Sequence, residues 1–109
     1  MRYEIRYKPA FAAAFITLNA GERITAEAGA MASMDGRLPM TTEFSGGLIP
    51  GLMRRLFGGE SLFVNVFQNR SGSPAEVVFT QGSIGDIEVL QLKSGEELCF
   101  QSGAYIAHA

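Results

Sequence analysis

One pattern is written twice in this chain. Residues 21–31 read G-E-x-I-x-x-E-x-G-A-M, and residues 95–105 read G-E-x-L-x-x-Q-x-G-A-Y, from Gly21 to Gly95 at a constant offset of 74 residues. Internal similarity at a fixed offset constrains the fold to related structural units. The second copy is followed only as far as Ala109. We therefore read a single domain over 1–109, with a first unit over about 1–94 and the opening of a second pseudo-repeat over 95–109.

The dominant period is two. Tyr3, Ile5 and Tyr7 alternate with Arg2, Glu4, Arg6 and Lys8. Ile24, Ala26 and Ala28 alternate with Arg23, Thr25 and Glu27, and Ile87 and Val89 with Asp86 and Glu88. Such alternation puts one face of a strand on a core and the other in water. Three segments, 14–18, 62–67 and 77–80, are apolar nearly throughout and suit strands covered on both faces. Turn-forming residues stand between the runs, at Asn19-Ala20-Gly21, Asp35-Gly36, Asn69 to Pro74 and Lys93-Ser94-Gly95. Many short strands with regular turns predict an all-β fold, a β-sandwich or double-stranded β-helix of antiparallel strands. One stretch breaks the period: apolar residues at 48, 49, 52, 53, 56 and 57, with Arg54 and Arg55 between them, predict a short amphipathic helix over 48–57 bracketed by diglycines.

Composition excludes several classes. With 47% hydrophobic and 18% charged residues the chain is not disordered. A net charge of −2 provides no broad basic field, so no nucleic-acid partner is expected. No stretch approaches the roughly 20 apolar residues of a membrane-spanning helix, and the N-terminal residues lack the apolar core of a signal peptide. A soluble cytoplasmic protein is the expectation. Cys99, the single cysteine, is flanked by Leu98 and Phe100 in a strand-like setting and reads as a small buried hydrophobe.

The segments Arg54 to Asn65 (with Gly58-Gly59-Glu60-Ser61-Leu62-Phe63), Glu27 to Met31, Gly85-Asp86-Ile87 and Gly103 to Ala107 together resemble the altered-inheritance-of-mitochondria family, which also contains many bacterial proteins of unknown function. The resemblance covers nearly the whole chain. It implies a β-sandwich or double-stranded β-helix related to the tryptophan RNA-binding attenuation protein, a homotrimer with pseudo-repeats and no established enzymatic activity. It also implies a family length about twice that of this chain.

No residue set satisfies the demands of catalysis. Glu60-Ser61 opens an apolar strand after the diglycine; it forms either a polar pair at a pocket or interface, or more simply a corner whose side chains satisfy exposed amides. A Ser61 nucleophile needs a base, and the sole histidine, His108, sits at the far end of the sequence. One histidine and one cysteine do not make a metal cage, and Glu22, Glu27, Asp35 and Asp86 are scattered near turns. No catalytic residue, cofactor or metal is expected. Gly82-Ser83-Ile84-Gly85 lacks the Lys-Ser/Thr ending of a phosphate loop and reads as a strand connection. Tyr3, Tyr7, Phe63, Phe67 and Phe79, without interleaved basic residues, read as core rather than as a base-stacking platform. The candidate interaction surface is the predicted helix and the corner after it: Leu52, Met53, Arg54, Arg55, Leu56, Phe57, Glu60 and Ser61. The leading expectation is a non-enzymatic oligomeric scaffold or binding module, a trimer. The alternatives are a peripheral membrane organiser acting through 48–57 and a small-molecule-binding protein.

Overall fold

The computed structural model describes residues 1–44 and 63–109. The predicted helix over 48–57 and the Glu60-Ser61 corner lie outside the described residues. Within them the chain is all-β, with no α-helix. Its strands are β1 (Arg2–Arg6), β2 (Ala13–Leu18), β3 (Arg23–Glu27), β4 (Met31–Met34), β5 (Met40–Phe44), β6 (Phe63–Gln68), β7 (Ala75–Thr80) and β8 (Ala107–His108). A single 3₁₀ turn spans Ser102–Ala104.

The strands form two antiparallel four-stranded sheets, ordered β1-β2-β7-β4 and β5-β6-β3-β8. The core lies between them. Leu18, Ala26, Val77, Phe67 and Phe79 are all fully buried, and the two phenylalanine rings meet edge to face at 5.5 Å. A buried side chain of this size contributes about 1.5–3 kcal/mol by leaving water. The alternation in the sequence is what allows this: in β3, Ile24 and Ala26 are buried while Arg23 is exposed. The chain passes between sheets at tight turns. From β2 to β3 it does so through Asn19–Glu22, where Gly21 takes a φ of +83°, a conformation that suits glycine.

Buried asparagines join these elements. Asn69, 1% exposed, donates from Nδ2 to the carbonyls of Leu18 (2.9 Å) and Ser73 (2.8 Å). Its Oδ1 accepts from the Ser71 amide (3.0 Å) and hydroxyl (2.7 Å). Its backbone meets the β2–β3 turn as well, accepting from Gly21 and donating to Glu22. One buried amide thereby holds the end of β2 against the β6–β7 loop with every polar atom satisfied. Asn65 does the same on the other sheet, accepting from the Thr42 hydroxyl and donating to the carbonyl of Ala28.

Two expectations are corrected. The alternation at Ile87 and Val89 and the apolar flanks of Cys99 predict strands, yet residues 86–101 form none. Cys99 is consequently exposed rather than buried. The physical reason is the same for both: a strand needs a partner ladder, and this stretch forms none with the described strands.

Candidate functional site

Residues 86–101 leave the sandwich as an arm anchored at its two ends. Ile87 is buried at 8% at one end, and Tyr105 at 7% just past the other. Gln81 donates its side-chain N–H to the Gly103 carbonyl beside the second anchor. Between the anchors Val89, Leu90, Leu92 and Leu98 are 38%, 54%, 50% and 39% exposed. Four exposed apolar side chains on one segment make it the candidate binding surface among the described residues.

The arm turns at Lys93–Glu96, and this turn copies the one between β2 and β3. Glu22 N–H donates to the Asn19 carbonyl at 3.1 Å, and Glu96 N–H to the Lys93 carbonyl at 3.0 Å. The Glu22 carboxylate accepts from Asn19 N–H at 2.8 Å, and the Glu96 carboxylate from Lys93 N–H at 3.1 Å. Gly21 and Gly95 take φ of +83° and +86°. The glutamate in each G-E pair is thus a turn cap, and the glycine supplies the left-handed backbone.

A second feature gathers at the strands' outer ends. Tyr7 leaves β1 at φ +64°, and its ring meets Phe15 edge to face at 6.2 Å. The Arg6 guanidinium lies 4.0 Å over the Phe15 ring, a cation–π contact. Tyr3, Tyr7 and Phe63 are all more than half exposed, whereas Phe67 and Phe79 are core; the expectation that all five aromatics are buried is corrected for the first three. They stand where strands end or lie at an edge, so alternation places them without covering them. Gly82 to Gly85 is a strand connection: Gly85 donates to Ala10 and accepts from Ala12, bridging to Phe11. It lines a shallow cleft of about 300 Å³ with Phe11 and Ile84, both over 70% exposed.

The titratable groups have structural partners. The Tyr105 hydroxyl donates to the Thr25 carbonyl at 3.1 Å, and His108 Nδ1 lies 2.6 Å from the same oxygen, which leaves the ring to donate from Nδ1. Burial, and secondarily Glu27, pushes the Tyr105 hydroxyl pKa up. Burial, and secondarily the Arg23 charge, pulls the His108 imidazole below its ordinary value. This ring ties β8 to β3. Arg37 grips Asp35 by two side-chain N–H groups, at 3.0 and 2.7 Å, and holds its carboxyl down at about 2. Asp86 pairs with Lys8 at 3.7 Å. Among the described residues no three His, Cys, Asp or Glu side chains gather as metal ligands, and no helix is long and apolar enough to cross a membrane.

An all-β sandwich with a repeated G-E turn and a G-A-Y anchor at Tyr105 is the context in which the sequence comparison is decisive. Residues 3–109 match the family described as mitochondrial biogenesis AIM24. The chain belongs to this family. No curated protein and no solved structure matches it. Family membership spans both copies of the repeated pattern, so the arm and its turn belong to the AIM24 pattern as much as the sandwich does. The arm was not singled out as a site from sequence. Its signal was the repeat itself, which places Leu90, Leu92 and Leu98 at the offsets of Ile16, Leu18 and Ile24. Of the residues that were singled out, Leu52, Met53, Arg54, Arg55, Leu56, Phe57, Glu60 and Ser61 lie outside the described residues.

Proposed function

We propose that this chain is a non-enzymatic oligomeric scaffold or binding module of the AIM24 family, assembling as a closed homo-oligomer, a trimer. The observation that carries this reading is the arm, an extended segment whose leucines stand in water without strand partners among the described residues. Burying such a segment against a partner removes apolar surface from water at about 25 cal/mol per Å². Family resemblance supports the trimer. The engagement of His108 by Tyr105 supports a structural role for the only histidine over a catalytic one. Membership of the family described as mitochondrial biogenesis AIM24 supports a part in that process; in this reading the chain takes it by assembly and contact rather than by chemistry.

A native mass spectrum of the purified chain tests the reading. A multiple of the 11.7 kDa protomer mass is expected, three copies being the favoured count. A strictly monomeric species at micromolar concentration overturns it. A reproducible excess mass on a monomer replaces it with a small-molecule or lipid-binding protein.

A further inference from the structure

The repeat relates more than the two turns. Moved by 74 residues, Ile16, Leu18, Ile24 and Ala26 become Leu90, Leu92, Leu98 and Phe100. In the first copy these positions are 7%, 0%, 4% and 0% exposed. In the second copy every one is still apolar, yet Leu90, Leu92 and Leu98 are 54%, 50% and 39% exposed. The offset also relates β1 to β7. Arg2 and Glu76 both stand opposite Thr17, and Arg6 and Thr80 both stand opposite Ala13, so β2 runs between two strands that are repeat counterparts. The arm is therefore a β2–turn–β3 corner in sequence and in turn geometry that pairs with none of the described strands.

The chain itself contains the partner strand type. β2 pairs with β1 in this chain, and among the described strands β1 is the outermost of its sheet, paired on one side only. The two segments are electrostatically opposite. β1 carries Arg2 and Arg6 against Glu4, a net charge of +1, and Lys8 just beyond it is paired with Asp86 of the same chain. Residues 87–101 carry Glu88, Glu96 and Glu97 against Lys93, a net charge of −2. The other end of the same sheet, β4, carries no basic residue and runs into Asp35. Basic residues on an edge strand normally discourage edge pairing; against an acidic strand they select it. Tyr3, 53% exposed on β1, provides apolar surface for the leucines.

We propose that the arm Ile87–Gln101 docks on the outer edge of β1 in a second copy of this chain, adding a strand to that sheet. The contact is heterologous, arm to edge, so each copy gives one and receives one, and a rotation that closes makes a ring. The inference rests on the oligomer reading above and names the surfaces that make it.

The test uses two variants of the full chain, each changed at exposed positions: Leu90→Glu with Leu92→Glu on the arm, and Arg2→Glu with Tyr3→Asp on β1. Circular dichroism and thermal melts establish that both keep the wild-type fold, and native mass spectra read assembly. Each variant alone is expected to be monomeric, with self-association weakened at least tenfold. An equimolar mixture is expected to form a one-to-one dimer and stop there, because one intact arm meets one intact edge. Variants that keep the wild-type assembly overturn this inference and leave the oligomer reading standing. Monomeric variants that stay monomeric when mixed also overturn it, because the interface is then not arm to edge. A monomeric wild type overturns both readings. An excess mass on that monomer hands the arm to an apolar ligand. If either variant unfolds, alkylation of Cys99 in the wild-type arm with a bulky maleimide replaces it: dissociation is expected, and an unchanged assembly overturns the proposal.

Discussion

The segment around Gly21 and the segment around Gly95 have the same turn and opposite fates. Both place a glycine at positive φ before a glutamate that caps the turn, with hydrogen bonds matching to within a few tenths of an ångström. The first leads from β2 in one sheet into β3 in the other, strands whose inner faces are buried in the core. The second lies between unpaired stretches whose leucines face water. The turn is thus a local property, set by glycine and one carboxylate, and it forms with or without a sheet around it. Strand formation is not local. Ile16 and Leu90 occupy the same place in the repeat, and only the one with β1 and β7 beside it is in a strand.

The largest effect that sharpens this contrast comes from truncating the same leucine in each copy. Leu18 is fully buried, so Leu18→Ala is expected to destabilise the fold by about 2–5 kcal/mol, lost burial plus a cavity. Leu92, its counterpart, is half exposed. Leu92→Ala is expected to change the stability of the dissociated chain by less than about 0.5 kcal/mol while weakening assembly. Chemical denaturation measures the first quantity and a dilution series the second. Equal losses of fold stability would mean that the arm is packed as tightly as β2. Asn69 comes next, because its side chain and backbone hold the first turn. Asn69→Ala removes four hydrogen bonds and takes the amide donor from the buried Leu18 carbonyl, while the Ser73 carbonyl keeps the Ser71 hydroxyl, for a loss of about 2 kcal/mol in a urea melt.

The glycines test the turns themselves. A Cβ at either position meets nothing within 4 Å, so the whole effect of an alanine is backbone strain at positive φ. Gly21→Ala is expected to cost about 1–2 kcal/mol of global stability. Gly95→Ala carries the same local strain outside the sandwich. It is expected to leave the melting of the dissociated chain in place and to lower the assembled fraction instead. A fall in melting of the dissociated chain for both would show that the two turns are equally coupled to the core.

Alternation and turn residues made β1, β2, β3, β6 and β7 legible, because each buries one face or both and the apolar spacing records it. β4 and β5 left no such trace. Met31-Ala32-Ser33-Met34 lies at a sheet edge with only its ends half-buried, and Met40-Thr41-Thr42-Glu43 is exposed where it is described, so neither carries an alternating pattern. The strand expectations at Ile87–Val89 and around Cys99 failed for the complementary reason. An apolar pattern records which face seeks cover, not whether the chain itself supplies it. The same limit hid the arm as a site: its leucines were readable as a strand face, and their exposure was not. His108 was set aside for its place in the sequence, and its contact with Tyr105 spans only three residues but depends on β8 lying against β3.

That strand gives the smallest effect and the last comparison. Tyr105–His108 is the repeat counterpart of β4, Met31–Met34, yet β4 pairs with β7 in one sheet and β8 with β3 in the other. What distinguishes them chemically is a titratable side chain where β4 has Met34. Burial lowers the His108 pKa below 6.5, so the folded state disfavours the imidazolium that the unfolded chain readily forms. The unfolded state then binds more protons just below pH 6.5, and stability falls as pH drops from about 6.5 toward the folded pKa. It is fully present above that range. Asp35 acts later, its contribution lost only as pH falls below about 4 toward 2. The imidazole C–H resonances should therefore titrate with a midpoint below that of a free histidine, and thermal stability should decline as pH falls below 6.5. His108→Met, which installs the residue of the β4 counterpart, should flatten that decline and lower neutral-pH stability by about 0.5–1.5 kcal/mol for the lost Tyr105 hydrogen bond. A histidine midpoint at or above 6.5 would mean that the ring is solvated and that β8 is held to β3 by backbone pairing alone.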